Sequence, residues 1–132
     1  MNERDNQDAI LKASSEMGAR LFRNNVGKGY VGKLIFKGRD VLIKGFRVLH
    51  AGLCQGSSDL IGWDTILITP EMVGKKIAVF KAVEVKARNG LPTKEQVNFI
   101  NQVNKAGGIG IIANSEKKYI TEYGLWITKL KS

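Results

Sequence analysis

Apolar residues recur at three- and four-residue steps through residues 8–23, at Ile10, Ala13, Met17 and Leu21, which is the spacing of one helical face. Polar Asn24 and Asn25, then Gly27, close the stretch, so the pattern predicts a first helix there. Over residues 30–49 the chain changes to runs of Val, Ile, Leu and Phe broken by glycine, and KLIFK and VLIKGFRVL on either side of GRD predict two strands around a turn. Shorter runs at 59–62 and 65–68 predict two strands before a turn at Pro70, and 77–86 predicts a longer strand closed by Asn89-Gly90. Residues 93–106 read as a second helix, with Val97, Ile100 and Val103 three apart, Phe99 beside them, and Gly107-Gly108 as the stop. Residues 109–113 are apolar on both faces, as a strand in the middle of a covered sheet would be, and 126–130 predicts a last strand. The expected layout is a mixed α/β fold with a central sheet.

Composition adds limits to that layout. With 132 residues, 43% of them hydrophobic, and no linker or repeat, the chain reads as one domain over 1–132. A chain of this size buries roughly two-thirds of its unfolded surface and needs no staple. One cysteine, Cys54, and one histidine, His50, exclude a disulfide framework and a Cys/His zinc site, and fit a reducing compartment. No apolar run reaches the roughly 18 residues of a membrane span. The opening MNERDNQD is polar where a signal peptide is basic and then apolar, so the expectation is a cytoplasmic chain, phage or bacterial, with a nuclear setting left open. A formal charge of +9, from 21 Lys and Arg against 12 Asp and Glu, points to a polyanionic partner, nucleic acid first.

Candidate chemistry is concentrated in AVFKAVEVKARNG. Side chains two apart on a strand project from one face about 7 Å apart, so Glu84 and Lys86 share a face with Phe80 and Ala82, while Val83 and Val85 fill the other. Buried charges are expensive unless paired or bound to metal, so this is either a sheet-face ion pair or part of a site. Upstream, Asp59 follows the Gly56-Ser57-Ser58 turn at the mouth of an apolar strand, as a ligand or as an ordinary turn aspartate hydrogen-bonded to nearby N–H groups. Two carboxylates on neighbouring strands suit Mg²⁺ or Mn²⁺, and a nearby lysine can act on the attacking water.

SSDLIGW, AVEVKARNG and TKEQVNFINQVNKAGGIGIIAN together resemble the PD-(D/E)xK nuclease superfamily, and within it the small virus-type replication-repair nuclease (VRR-NUC) domain, over residues 16–114. The resemblance implies a restriction-endonuclease-like fold, a central mixed β-sheet flanked by helices. It also implies a metal-dependent phosphodiesterase: Asp59 and Glu84 ligate Mg²⁺ or Mn²⁺, the Val85 carbonyl adds a ligand, and Lys86 acts on the water or the transition state. Ser58 stands where the motif has proline, which shapes a turn and ligates nothing. Glu16 matches the additional acid the family often places on its first helix, against an ordinary helix pair with Arg20 four residues on. Gln96 matches the family's glutamine, against the capping box Thr93-x-x-Gln96. Stand-alone relatives act on branched or flap DNA as homodimers, so the resemblance implies a structure-selective endonuclease on branched, flap or four-way-junction DNA. The alternative from another class is a basic nucleic-acid-binding module without chemistry.

The remaining features divide the same way. Asn24, Asn25, Gly27, Lys28 and Gly29 form a basic turn that either approaches a phosphate or is simply solvated, and the glycine spacing excludes a P-loop. Lys33, Lys37, Arg39, Lys44 and Arg47 on the predicted hairpin are solubilising, or they mark a DNA-tracking or dimer-forming arm. His50 and Cys54 lack partners for a nucleophile–base pair and read as structural. Trp63 and Trp126 read as core or sheet-edge residues, with base stacking the other role open to them.

Overall fold

Capping chemistry sets where the first helix begins and ends. In the computed structural model, which describes residues 2–132, Asn2 accepts from the Asp5 N–H and the Asp5 carboxylate accepts from the Asn2 N–H, a reciprocal box that opens α1 (Glu3–Glu16). The helix stops at Glu16 because Gly18 turns the backbone to φ +93, so Leu21 lies on a strand, β1 (Arg20–Arg23), and not on the helix expected to reach residue 23. The hairpin follows as β2 (Gly27–Lys37) and β3 (Val41–Ala51), antiparallel, with the turn at GRD as expected. β4 (Leu60–Trp63) pairs antiparallel with β1, Leu21 opposite Gly62, where a Cβ would run into the Arg20 carbonyl.

Residues 65–68 form no strand, and Leu67 and Ile68 are exposed. A single 3₁₀ turn, Pro70–Met72, follows them. The predicted strand over 77–86 is shortened to β5 (Lys81–Val85), because its one partner, β6 (Ile109–Ala113), begins opposite Lys81 and leaves 77–80 nothing to pair with beyond one bond, Ile109 N–H to the Phe80 carbonyl. α2 (Lys94–Lys105) starts at the Thr93 cap. It ends in a Schellman turn: Gly107, at φ +97, donates to the Asn104 carbonyl and Gly108 to that of Val103. The strand predicted over 126–130 is instead the end of a helix, α3 (Glu116–Lys131). Tyr119, Tyr123 and Trp126 repeat every three or four residues and lay one face on Ile109, Ile111 and Ala113, a helical period that the aromatic and β-branched content of the tail hides.

The structure is therefore mixed α/β, with strands paired as three two-stranded sheets, β1–β4, β2–β3 and β5–β6, where a central sheet was expected. The chain divides into two compact units, Met1–Trp63 and Asp64–Ser132. In the second, β5 and β6 run parallel with Ala82 opposite Gly110 and Glu84 opposite Ile112. That face carries α2, while Ile109, Ile111 and Ala113 point the other way to α3, so one helix covers each face. The buried apolar residues, Ile100, Val103, Ile109, Ile111 and Ala113, all lie in this sandwich. Lys81 is held at its α3 side, its ammonium 2.7 Å from the Tyr119 hydroxyl and 4.4 Å from the Tyr123 ring centroid. Among the described residues no helix is long and apolar enough to cross a membrane.

α2 approaches the sheet so closely that a Cβ at Gly110 would lie 2.7 Å from the Ile100 carbonyl oxygen. A backbone atom cannot swing aside as a side chain can, so Gly110→Ala should destabilise the protein by about 1–3 kcal/mol, the range for overpacked cores. Urea unfolding followed by circular dichroism should show a lower midpoint at unchanged slope; a midpoint equal to that of the parent would refute the close approach.

Candidate functional site

Strand alternation places Ala82 and Glu84 on the α2 side of β5, and Lys86, one residue past the strand, continues that face. The three are half-buried, whereas Val85 on the opposite face is 72% exposed, so the valines cover that face only in part. The shared face of Glu84 and Lys86 is as the sequence predicts, and their charges meet: Lys86 Nζ lies 3.0 Å from Glu84 Oε1. At side-chain exposures of 27% and 20% this pair is drier than a surface ion pair and correspondingly less screened.

Gln96 forms the expected capping box and also reaches Glu84. Its Oε1 accepts from the Thr93 N–H at 2.9 Å while Thr93 Oγ1 accepts from the Gln96 N–H at 3.2 Å, a complete capping box. With the oxygen committed to the cap, the amide NH₂ is left to donate, and Nε2 does so to Glu84 Oε1 at 2.8 Å. One carboxylate oxygen thus takes both donors, and Oε2 has no protein partner among the described residues. The carboxylate lines a groove of about 310 Å³ together with Ala82, Val83, Glu95, Gln96, Phe99 and Ile100. Glu95 is the acid that the sequence reading passed over, and its signal was its place next to Gln96 in the first turn of α2.

The Val85 carbonyl is free of the ladder for a geometric reason. Phe80 and Lys86 bond to β6 through their main chains, and backbone groups alternate sides along a strand, so the even-numbered residues of β5 carry the ladder. The carbonyl of Val85 points to the edge where no strand pairs among the described residues.

In the first unit, Asp59 stands at the end of a loop that Asn24 organises. Asn24 Nδ2 donates to Ser57 Oγ at 2.7 Å and to the Ser58 carbonyl at 2.8 Å, Oδ1 accepts from the Leu53 N–H at 3.0 Å, and the Asn24 N–H donates to the Asp59 carbonyl at 2.8 Å. Asn24 therefore fastens the Asp59 loop, and its amide is occupied by the protein instead of facing a phosphate. Gly27, Lys28 and Gly29, the rest of that expected turn, are strand β2. The Asp59 side chain is exposed and makes no turn hydrogen bond or ion pair among the described residues, so the ordinary turn role weighed for it is not the one it plays. Glu16 is exposed at the last residue of α1, and its expected pair with Arg20 does not form because the helix ends between them. Arg23 takes up the helix instead, with Gln7 Oε1 2.6 Å from Nη1 and Asp8 paired to Nη2. Cys54 is exposed. Trp63 packs on Phe22 at 5.6 Å between centroids, while Trp126 donates to the Gly108 carbonyl at 3.0 Å and stacks on Tyr123.

Glu84, Lys86 and Gln96 are thus brought into one hydrogen-bonded group in the second unit, and Asp59 and Glu16 belong to the first. Among the described residues no three His, Cys, Asp or Glu side chains gather as a metal-binding group. No protein-family model, curated protein or solved structure matches the chain.

Removing the Gln96 amide should act twice. Gln96→Ala loses half of the capping box, one hydrogen bond, and should destabilise α2 by about 0.5–1.5 kcal/mol. It also leaves Glu84 Oε1 with Lys86 as its single donor. Gln96→Glu keeps an acceptor for the Thr93 N–H and sets a second carboxylate against Glu84, so it should also destabilise the protein. Urea midpoints of the two variants check this; a Gln96→Glu midpoint equal to that of the parent would show that Gln96 does not face Glu84.

Proposed function

We propose that this chain is a divalent-metal-dependent endonuclease that hydrolyses phosphodiester bonds in DNA, with branched, flap or four-way-junction DNA as its substrate class. The reading takes the restriction-endonuclease-like, VRR-NUC type of architecture for the chain and a homodimer as its working form. One observation carries it: a half-buried carboxylate, Glu84, holds one oxygen on Lys86 and Gln96 and leaves the other without a protein partner beside a groove. The Glu84 side chain is 27% exposed, so its second oxygen is open from the groove to an ion or to water.

The donor chemistry fits Mg²⁺ or Mn²⁺, which take oxygen ligands from one or two carboxylates and keep several waters, so a three-acid cluster is not required. Glu84 Oε2 and the ladder-free Val85 carbonyl would hold the ion, and Asp59 as second carboxylate and Glu16 as an outer acid are what the resemblance adds. When bound, such an ion supplies charge for the scissile phosphate and a water of lowered pKa. Lys86 contributes a fixed ammonium that stabilises negative charge accumulating on the phosphate oxygens, and it needs no reorganisation because Glu84 already orients it. Gln96 is a positioning residue, since it acts through Glu84 and its own helix cap.

Glu84→Ala and Asp59→Ala should abolish Mg²⁺- or Mn²⁺-dependent cleavage while leaving DNA binding equal or tighter, because a negative charge near the phosphate is lost. Lys86→Ala should retain metal binding and slow the chemical step by about 10² to 10³, the scale for losing one electrostatic stabiliser. Glu16→Ala and Gln96→Ala should give smaller, graded losses. Cleavage of plasmid, flap and four-way-junction DNA, with metal calorimetry and circular dichroism on each variant, checks the set. Parental cleavage by folded Glu84→Ala or Asp59→Ala protein would remove the site, and no cleavage of any DNA by the parent would leave a binding module.

Two strands of a branch call for two active sites, which a two-fold dimer supplies through one isologous interface. Sedimentation at micromolar concentration should therefore give twice 14.6 kDa; a monomer that still resolves junctions would remove the dimer.

A further inference from the structure

Strands β2 and β3 form a two-stranded ribbon that pairs with no further strand among the described residues. Residues 27–51 contain six Lys and Arg against one acid, Asp40, so this ribbon carries +5 of the chain's +9. Lys33 and Lys44 stand directly opposite each other, and Arg47 stands opposite Val31, which shares its face with Lys33 two residues on. None of these three cations is in an ion pair among the described residues. Directly opposed residues have Cβ atoms about 4.5–5.5 Å apart, where like charges destabilise a ladder. An anion lying across them removes that repulsion.

The ribbon's two faces differ: Leu34 follows Lys33 on β2 and so faces the other way, on the side where Tyr30 and Phe46 meet. Leu34, Phe36, Leu42 and Phe46 are each 55–61% exposed, and a two-stranded hairpin alone is marginal in water. A second copy of the ribbon would bring another +5 against the first, whereas a polyanion neutralises it. The dimensions suit a duplex: each strand has 11 residues, a span of about 36 Å, close to the ~34 Å turn of B-DNA, whose ~12 Å major groove admits a two-stranded ribbon. The register shifts twice, between Val31 and Lys33 and between Leu34 and Phe36, with Gly45 at φ +61 beside the first. Such bulges increase the twist a ribbon needs to follow a groove.

We propose that the β2–β3 ribbon is an arm that lies in a groove of duplex DNA, with Lys33, Lys44 and Arg47 on the phosphates. It shares the DNA partner with the proposed nuclease but uses none of its catalytic residues, so either can fail alone.

The test is fluorescence anisotropy of the full chain with a 20-base-pair duplex and a single strand of equal length, in EDTA, across salt concentrations. A triple variant, Lys33→Gln, Lys44→Gln and Arg47→Gln, should lose at least about tenfold in duplex affinity. The log–log salt slope should shrink by about 2.7, from about 0.9 per phosphate contact. The same positions changed to Arg-Arg-Lys should bind nearly as the parent, and a triple of equal charge loss elsewhere, Lys75→Gln, Lys76→Gln and Lys131→Gln, should lose less than about threefold. Equal losses in the two Gln triples, or equal duplex and single-strand affinity in the parent, would overturn the arm. So would Leu34→Ser with Leu42→Ser turning a dimer into a monomer at unchanged duplex affinity, which would assign the ribbon to a second copy. Binding through the ribbon by a chain that cuts nothing would remove the nuclease and keep the arm; full duplex affinity in the ribbon triple with cleavage intact would do the reverse.

Discussion

The close approach of α2 to β6 at Gly110 fixes the geometry on which the second unit depends. With no side chain at Gly110, the Ile100 main chain can rest on the sheet, and Asn104, one turn later, reaches both the N–H and the carbonyl of Gly110 at 2.8 and 3.1 Å. Those backbone groups face the outer edge of β6, so Asn104 satisfies an edge that would otherwise be open to another strand. The same docking sets the height of the helix above β5. Gln96, one turn before Ile100, then falls opposite Glu84, and the cap that starts the helix becomes the clamp that orients the carboxylate.

The site group was legible where it depended on local geometry and illegible where it depended on packing. Glu84 and Lys86 share a face because strand alternation requires it, and Thr93 and Gln96 form a box because their spacing does. The joint use of Gln96 was not readable, since the cap takes the oxygen of its amide and Glu84 takes the nitrogen. Asn24 was likewise misread: a polar residue before glycine looks like a solvated turn, and its three hydrogen bonds to residues 53–58 come from pairing β1 with β4, far along the chain. The helical tail was misread as strand because Trp126, Ile127 and Thr128 favour strands, while the spacing that decides the matter begins at Tyr119, outside that window. β5 came out shorter than its apolar run because a strand's length is set by its partner.

The two units are held by different physics. Among the described residues the second has all of the buried apolar ones and covers each face of its sheet with a helix, so burial of apolar area stabilises it. Among the described residues the first has no comparable core, and its elements are tied by polar contacts, Arg23 to Gln7 and Asp8 and Asn24 to the loop before β4, together with the Phe22–Trp63 ring pair. Each hydrogen bond of this kind contributes only about 0.5–1.5 kcal/mol net, and ion pairs at exposed positions less.

That difference bears on where a polyanion acts. A partner that binds only the folded form stabilises it by RT ln(1 + [L]/Kd), about 2.7 kcal/mol at a hundred times Kd. Set against the first unit's polar ties that is a large fraction, and against the apolar sandwich of the second a small one. The residues that would receive the polyanion, the opposed Lys33 and Lys44 with Arg47 beside them, belong to the unit with the most to gain. The like-charge repulsion between Lys33 and Lys44 in the free ribbon and its relief by a phosphate backbone would then count in the same direction.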